Sequence, residues 1–157
     1  PVVEWRIQDA TAVEAQRAAD IAAQAFGTER FHADPRLGPG LGNERYRRWV
    51  ASCVGHPRQR LLSVLRGQDL VAFFVVERQT ADLCYWHLTA VDPECQGQGL
   101  GRQSWMAALQ WARHQGCRSV ASSIVARNVR VLNLYASLGF RFAAPMNTYH
   151  WMPDSGV

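Results

Sequence analysis

Residues 91–101 read VDPECQGQGLG, with glycines at Gly97, Gly99 and Gly101. Glycine reaches backbone conformations closed to other residues and lets a ligand approach the main chain. A helix starting just behind such a loop offers unpaired N–H groups and the positive end of its dipole. Together these predict a phosphate or pyrophosphate site built mostly from backbone amides. The spacing excludes two common nucleotide loops. A dinucleotide fold needs G-x-G-x-x-G behind its first strand, and the P-loop needs Gly-Lys followed by Ser or Thr. Taken alone, the glycines fit a ligand-free turn as well.

The elements around this loop follow from hydrophobic period and breakers. Residues 2–10 alternate as a strand does, and 12–26 form a helix capped by Asp9 or Thr11. Residues 27–42 carry Pro35, Pro39 and several glycines and read as a long loop, the kind that often serves function. Residues 43–54 read as a helix capped by Asn43. Strands are expected at 60–67, 70–80 and 83–91, joined by tight links at Gly67-Gln68-Asp69 and Thr80-Ala81-Asp82. A helix at 102–116 ends at Gly116, a strand covers 119–126, and a helix at 128–139 starts at Asn128. Residues 140–152 read as a closing strand pair about Pro145-Met146-Asn147. The order implies an α/β (α+β) fold, a mixed sheet with antiparallel hairpins and one crossover helix.

Composition narrows the function classes. The 157 residues are 48% hydrophobic and carry a formal charge of +4, which fits one globular domain, 1–157, with a mild preference for anionic small molecules. No run of Lys or Arg tracks a nucleic acid, and no apolar stretch reaches the ~18 residues a membrane span needs. The four cysteines include no C-x-x-C pair, and no signal-peptide pattern opens the chain, so a reduced, cytoplasmic protein with no metal site is expected.

Two motifs joined are more specific than either alone. Val91-x-Pro93 with Gln96-Gly97-Gln98-Gly99-Leu100-Gly101, followed by Asn128, Asn133-Leu134-Tyr135 and Leu138-Gly139-Phe140-Arg141, resembles the GNAT superfamily of acyl-CoA-dependent N-acetyltransferases over residues 60–142. The resemblance implies a mostly antiparallel sheet with helices on both faces and splayed parallel strands at 83–91 and 119–126. It implies acetyl-CoA (coenzyme A) as donor. The backbone of Leu88, Thr89, Ala90 and Val91 would pair with the pantetheine arm. Gln96, Gly97, Gln98, Gly99, Leu100, Gly101 and Arg102 would hold the pyrophosphate, and Asn128 and Asn133 would complete the coenzyme site.

It also implies that Tyr135 places its hydroxyl at the sulfur. A tyrosine is neutral at pH 7, with an ordinary pKa of ~10, and can protonate a leaving thiolate. Read from its position only, Tyr135 is a core aromatic. A strand amide, from Leu88 or a neighbour, would stabilise the developing oxyanion. His87 is the expected base, since histidine titrates near neutrality, although a packed strand histidine beside Trp86 fits equally. Glu77 and Asp82 are weaker candidates, and the cysteines are structural.

The acceptor site is expected from the first two helices and their loop. Arg30, Phe31, His32, Asp34 and Arg36, with Trp49 and the terminal Tyr149-His150-Trp151, resemble acetyltransferases of dTDP-linked 4-amino-4,6-dideoxy sugars more loosely. Arginines could pair with a diphosphate and aromatics could stack on a ring; a solvated loop tied by Asp34–Arg36 explains the same residues. The expected acceptor is a small-molecule primary amine, and homodimerisation is left open. A peptide N-acetyltransferase and a non-catalytic acyl-CoA sensor are the alternatives.

Overall fold

A computed structural model describes residues 4–27, 29–149 and 151. Strand β1 (Trp5–Asp9) leads into α1 (Ala12–Ala25). Of the two cap candidates, Thr11 is used: its Oγ1 accepts from the Glu14 amide while Glu14 accepts from the Thr11 amide, a reciprocal box. Then come α2 (Arg30–Ala33), α3 (Pro39–Ser52), β2 (Gln59–Arg66), β3 (Asp69–Arg78) and β4 (Leu83–Val91). A 3-10 turn at Pro93–Cys95 precedes α4 (Leu100–His114), β5 (Ser119–Ser122) and α5 (Val129–Ser137).

The sheet runs β1-β2-β3-β4-β5, antiparallel through β4 and parallel between β4 and β5. Alternation along β3 divides the core in two. Phe73 and Val75 pack with α1 and α3, and Ala72, Phe74 and Val76 pack with Trp105 and Ala108 of α4 and Tyr135 of α5. The expected sheet, with helices on both faces, is present. Among the described residues no helix is long and apolar enough to cross a membrane.

Three boundaries depart from expectation. The 27–42 loop holds a helical turn, α2, and α3 begins at Pro39 instead of Asn43. Proline at a helix's first position forfeits no hydrogen bond, so Pro39 starts the helix it was expected to block. Asn43 caps nothing there; its Oδ1 lies 2.7 Å from His32 Nε2 and ties α2 to α3. Gly42 permits that contact, because a Cβ there would fall 2.5 Å from the His32 ring.

Strand β5 stops at Ser122, four residues before its expected end. The 140–152 strand pair is not formed in its described part: 140–149 and 151 carry no strand, and 141–149 are exposed. Pro145 lacks an N–H, and β5 offers an edge of only four residues. His150 and Met152, like residues 1–3, lie outside the described residues.

Candidate active site

The site begins with a slip in register. Val75 of β3 faces Leu88, but Val76 faces Trp86, so His87 is the extra residue of a β-bulge in β4. A bulge re-aims side chains and flips the alternation beyond it. Cys84 and Trp86 accordingly belong to the core under α4 and α5, whereas Leu88 and Ala90 belong to the core under α1 and α3. His87 faces α3, its ring centroid 6.3 Å from that of Trp49.

The same point is where the sheet opens. β4 and β5 pair from Leu83↔Ser119 to Trp86↔Ser122 and no further, and Ser122 Oγ donates to the Trp86 carbonyl at 3.0 Å. Beyond it, Leu88, Thr89, Ala90 and Val91 pair with β3 on one side only. Their other edge is a row of main-chain donors and acceptors without a strand partner among the described residues, and such an edge can take up an extended ligand as an added strand.

The glycine loop closes one end of this opening. Asp92 is buried; it accepts from the Glu94 amide at 3.0 Å and from Arg17 of α1 at 2.7 Å, which pins the loop's start. Gly97 and Gly99 have φ of 79° and 74°, conformations that cost other residues strain. Gly99 is the N-cap of α4 and supplies no side-chain acceptor, so the first amides of α4 are left for a ligand. Gln98 Nε2 donates to the Glu94 carbonyl at 3.2 Å, and Arg130 reaches Gln96 Oε1 at 3.4 Å. Arg102 donates to the Ser137 carbonyl at 3.3 Å. Two guanidiniums thus tie the loop and α4 to α5 beside the uncapped amides. These residues fit a diphosphate with an extended tail: among the described residues no side chain caps the first amides of α4, and two arginines and the open strand edge adjoin them.

Tyr135 is 2% exposed, its ring against Phe140 (4.7 Å), Trp105 (6.2 Å) and Trp86 (6.4 Å). Its hydroxyl makes no hydrogen bond to any described residue. Asn128 Oδ1 caps α5 by accepting from the Val131 amide, so its Nδ2 is what remains to meet a ligand. Asn133 is exposed on α5 and joins neither group. Tyr135 and His87 lie on opposite faces of β4 and can address one molecule only through the opening.

On the α3 side, His87 Nε2 sits 2.8 Å from Glu77 Oε2, and the other Glu77 oxygen pairs with Arg58. The hydrogen bond to His87, then the Arg58 charge, holds the Glu77 carboxyl below its ordinary range. A row of rings leads away from His87: Trp49 to Tyr46 at 6.4 Å, and Tyr46 to His32 at 6.3 Å. Burial, helped by the charge of Glu29, pushes the Tyr46 hydroxyl up to about 12. Beyond the row, Arg30 and Arg45 lie over the Phe31 ring at 4.6 and 4.4 Å. Neither forms an ion pair with a described residue, whereas Arg36 is held by Asp34 through contacts of 2.9 and 2.6 Å. Arg36 and Asp34 therefore pair with each other, and Arg45, together with Arg30, lies over the Phe31 ring.

Several of these partners were missed. Arg17 and Asp92 are 75 residues apart, and Arg58, Tyr46 and Arg45 reach the site only through strand register and the packing of α3. The one signal available was Glu77 itself, already a weaker candidate, an acid directly behind the apolar run Val71–Val76 of β3. The cysteines are all free, and burial pushes the Cys53 and Cys84 thiols up to about 11, which leaves them poor nucleophiles.

A sheet that opens between two parallel strands, with a glycine-led helix at the opening, defines the fold class of the acyl-CoA-dependent acetyltransferases. The chain belongs to the acetyltransferase (GNAT) family, whose sequence model matches residues 16–140. It is 24% identical over 134 residues to the spore coat polysaccharide biosynthesis protein SpsD of Bacillus subtilis, covering 85% of this chain and 46% of that protein. The chain spans less than half the length of the curated relatives it matches. Among solved structures, the ribosomal-protein-S18-alanine N-acetyltransferase of Escherichia coli superposes with TM-score 0.69 at 22% identity, covering 96% of this chain and 86% of that one. The aminoglycoside N-acetyltransferase AAC(6')-Iy, in complex with CoA, superposes with TM-score 0.67 at 13% identity, covering 95% of both chains. Acetyl-CoA is the donor for this family.

Proposed function

We propose that this chain transfers an acetyl group from acetyl-CoA to a primary amine of a small anion-bearing molecule, with a nucleotide-linked amino sugar as the favoured acceptor. The observation that carries the reading is the unpaired edge of β4 running into the uncapped start of α4. When bound, acetyl-CoA supplies an activated acyl carbon and a thiolate leaving group. Leu88, Thr89, Ala90 and Val91 hold the pantetheine arm through backbone groups, with Asn128 Nδ2 beside them. Gln96 to Arg102 and Arg130 hold the diphosphate. His87 takes a proton from the acceptor's ammonium, so that the amine attacks as a free base. The Leu88 amide stabilises the charge on the carbonyl oxygen, and Tyr135 gives its proton to the departing sulfur.

The acceptor reading rests on the ring row and the two arginines. An arginine stacked on an aromatic face keeps its in-plane N–H groups free for a phosphate. His32, Tyr46 and Trp49 then offer ring faces along the way to His87. The likeness to SpsD, a polysaccharide biosynthesis protein by its name, points the same way.

Free-thiol release from acetyl-CoA, measured against dTDP-linked 4-amino sugars, polycationic amino sugars and peptides with free N-termini, tests the reading. The nucleotide sugars should turn over fastest. A preference for peptides would replace the acceptor assignment. Coenzyme binding by calorimetry without thiol release on any amine would leave the sensor alternative instead.

Gly42→Ala probes the ring row. A methyl there must push His32 aside, while the helix gains up to ~1 kcal/mol from losing a glycine. Tm should therefore hold within a few degrees, and KM for the acceptor should rise about three- to tenfold, from ~0.5–1.5 kcal/mol of aromatic contact. An unchanged KM would remove His32 from the acceptor wall.

A further inference from the structure

We propose that Glu77 and Arg58 form a positioning device that fixes which nitrogen of His87 accepts the proton. The inference rests on the reading of His87 as base, and its test separates the two. His87 is the bulged residue of β4, so no cross-strand neighbour opposes it and its ring orientation must be set by other contacts. Glu77, two residues past the bulge on β3, supplies one. Its side chain is 9% exposed, and its Oε2 lies 2.8 Å from His87 Nε2.

A carboxylate can only accept a hydrogen bond. Nε2 therefore carries the hydrogen, and Nδ1 keeps the lone pair. Arg58 pairs with the second carboxylate oxygen from the solvent side, which keeps Glu77 ionised and stops it rotating away. Tyr85 and Trp49 flank the imidazole with ring centroids 4.8 and 6.3 Å away, and their polar atoms bond elsewhere, to Ser123 and Gln59. The groups that face His87 are thus one anion bound to its far nitrogen and two aromatic faces. In the proposed step the acceptor ammonium gives one proton to Nδ1. The resulting imidazolium shares its Nε2–H with Glu77 and later releases the Nδ1 proton to solvent.

Glu77→Gln isolates the effect, because Arg58 constrains the new amide. Arg58 can only donate, so it holds the amide oxygen and turns the NH2 toward His87. An NH2 facing Nε2 demands a lone pair there and moves the hydrogen to Nδ1. The variant should therefore reverse the His87 tautomer, read from the 15N shifts of the labelled imidazole, and lower kcat by about 10²-fold, at the lower end for a lost general base. KM for the acceptor should change less than threefold. Adding Arg58→Ala frees the amide to turn its oxygen back, and should restore the original tautomer and part of kcat.

An unreversed tautomer in Glu77→Gln overturns the proposal, whatever the kinetics. A reversed tautomer with unchanged kcat keeps the positioning device and removes His87 as base. Loss of kcat without a tautomer change, or without rescue on removing Arg58, assigns Glu77 a merely structural role and overturns it as well.

Discussion

Tyr135→Phe should lower kcat about 100-fold while leaving the affinity for coenzyme A within twofold of the native protein. A lost general acid costs a factor of 10²–10⁴, and 100-fold corresponds to ~2.7 kcal/mol of transition-state stabilisation. The structure makes the experiment clean. The Tyr135 ring is locked by Trp86, Trp105 and Phe140, and phenylalanine preserves those contacts. The hydroxyl bonds to no described residue, so its removal strands no buried partner, and stability should shift by less than ~0.5 kcal/mol. Tyr135→Ala would confuse the issue, because emptying that ring site costs about 3–5 kcal/mol of folding stability. Single-turnover thiol release alongside calorimetry is the measurement. A native kcat in the phenylalanine variant would leave Tyr135 as a core aromatic and require another proton source for the sulfur.

Gly99→Val should weaken coenzyme A binding by about 10²-fold, and Gly101→Ala, two residues away, should not. Gly99 has a φ of 74°, where a side chain costs about 1–2 kcal/mol, and valine crowds the amides that begin α4. Its chain neighbours aside, a Cβ at Gly99 meets no protein atom within 4 Å, so the damage falls on local backbone strain and on the ligand, not on packing. Each charge-assisted hydrogen bond to the diphosphate that is lost adds ~1.5–3 kcal/mol. Gly101 has an ordinary φ, and its Cβ would sit 3.7 Å from Val91 Cγ2, an ordinary contact. Titration calorimetry on the pair separates a main-chain diphosphate site from a glycine-rich turn. Equal binding by Gly99→Val and the native chain would return the loop to the turn reading.

These two predictions rest on features that local chemistry announces. Gly97 and Gly99 take left-handed backbone because glycine does so freely, and Asn128 caps α5 because its side chain satisfies an exposed amide. The strands β2, β3 and β4 lie within a residue or two of their expected bounds, since each buries a run of apolar residues. Failures occurred where a neighbour distant in sequence overrode local preference. Gly42 and Pro39 look like helix breakers until the His32 ring packs against one and the other proves to open α3. Residues 140–152 read as a strand pair about Pro145-Met146-Asn147, yet a strand forms only against an edge, and the four-residue β5 leaves little.

Short-range rules were enough to read most of the order of elements through α5, the left-handed glycines before α4 and the Asn128 cap, because backbone dihedrals and helix periodicity depend on residues a few positions apart. The bulge at His87 is different in kind. A register slip belongs to two strands at once, and nothing within LCYWHLTAV marks which residue will lack a partner. From that slip follow the parting of β4 from β5, the turn of His87 toward α3 and its union with Glu77 and Arg58. Those contacts join groups brought together by the collapse of the whole chain, and only the folded arrangement reveals which acid pairs with which histidine.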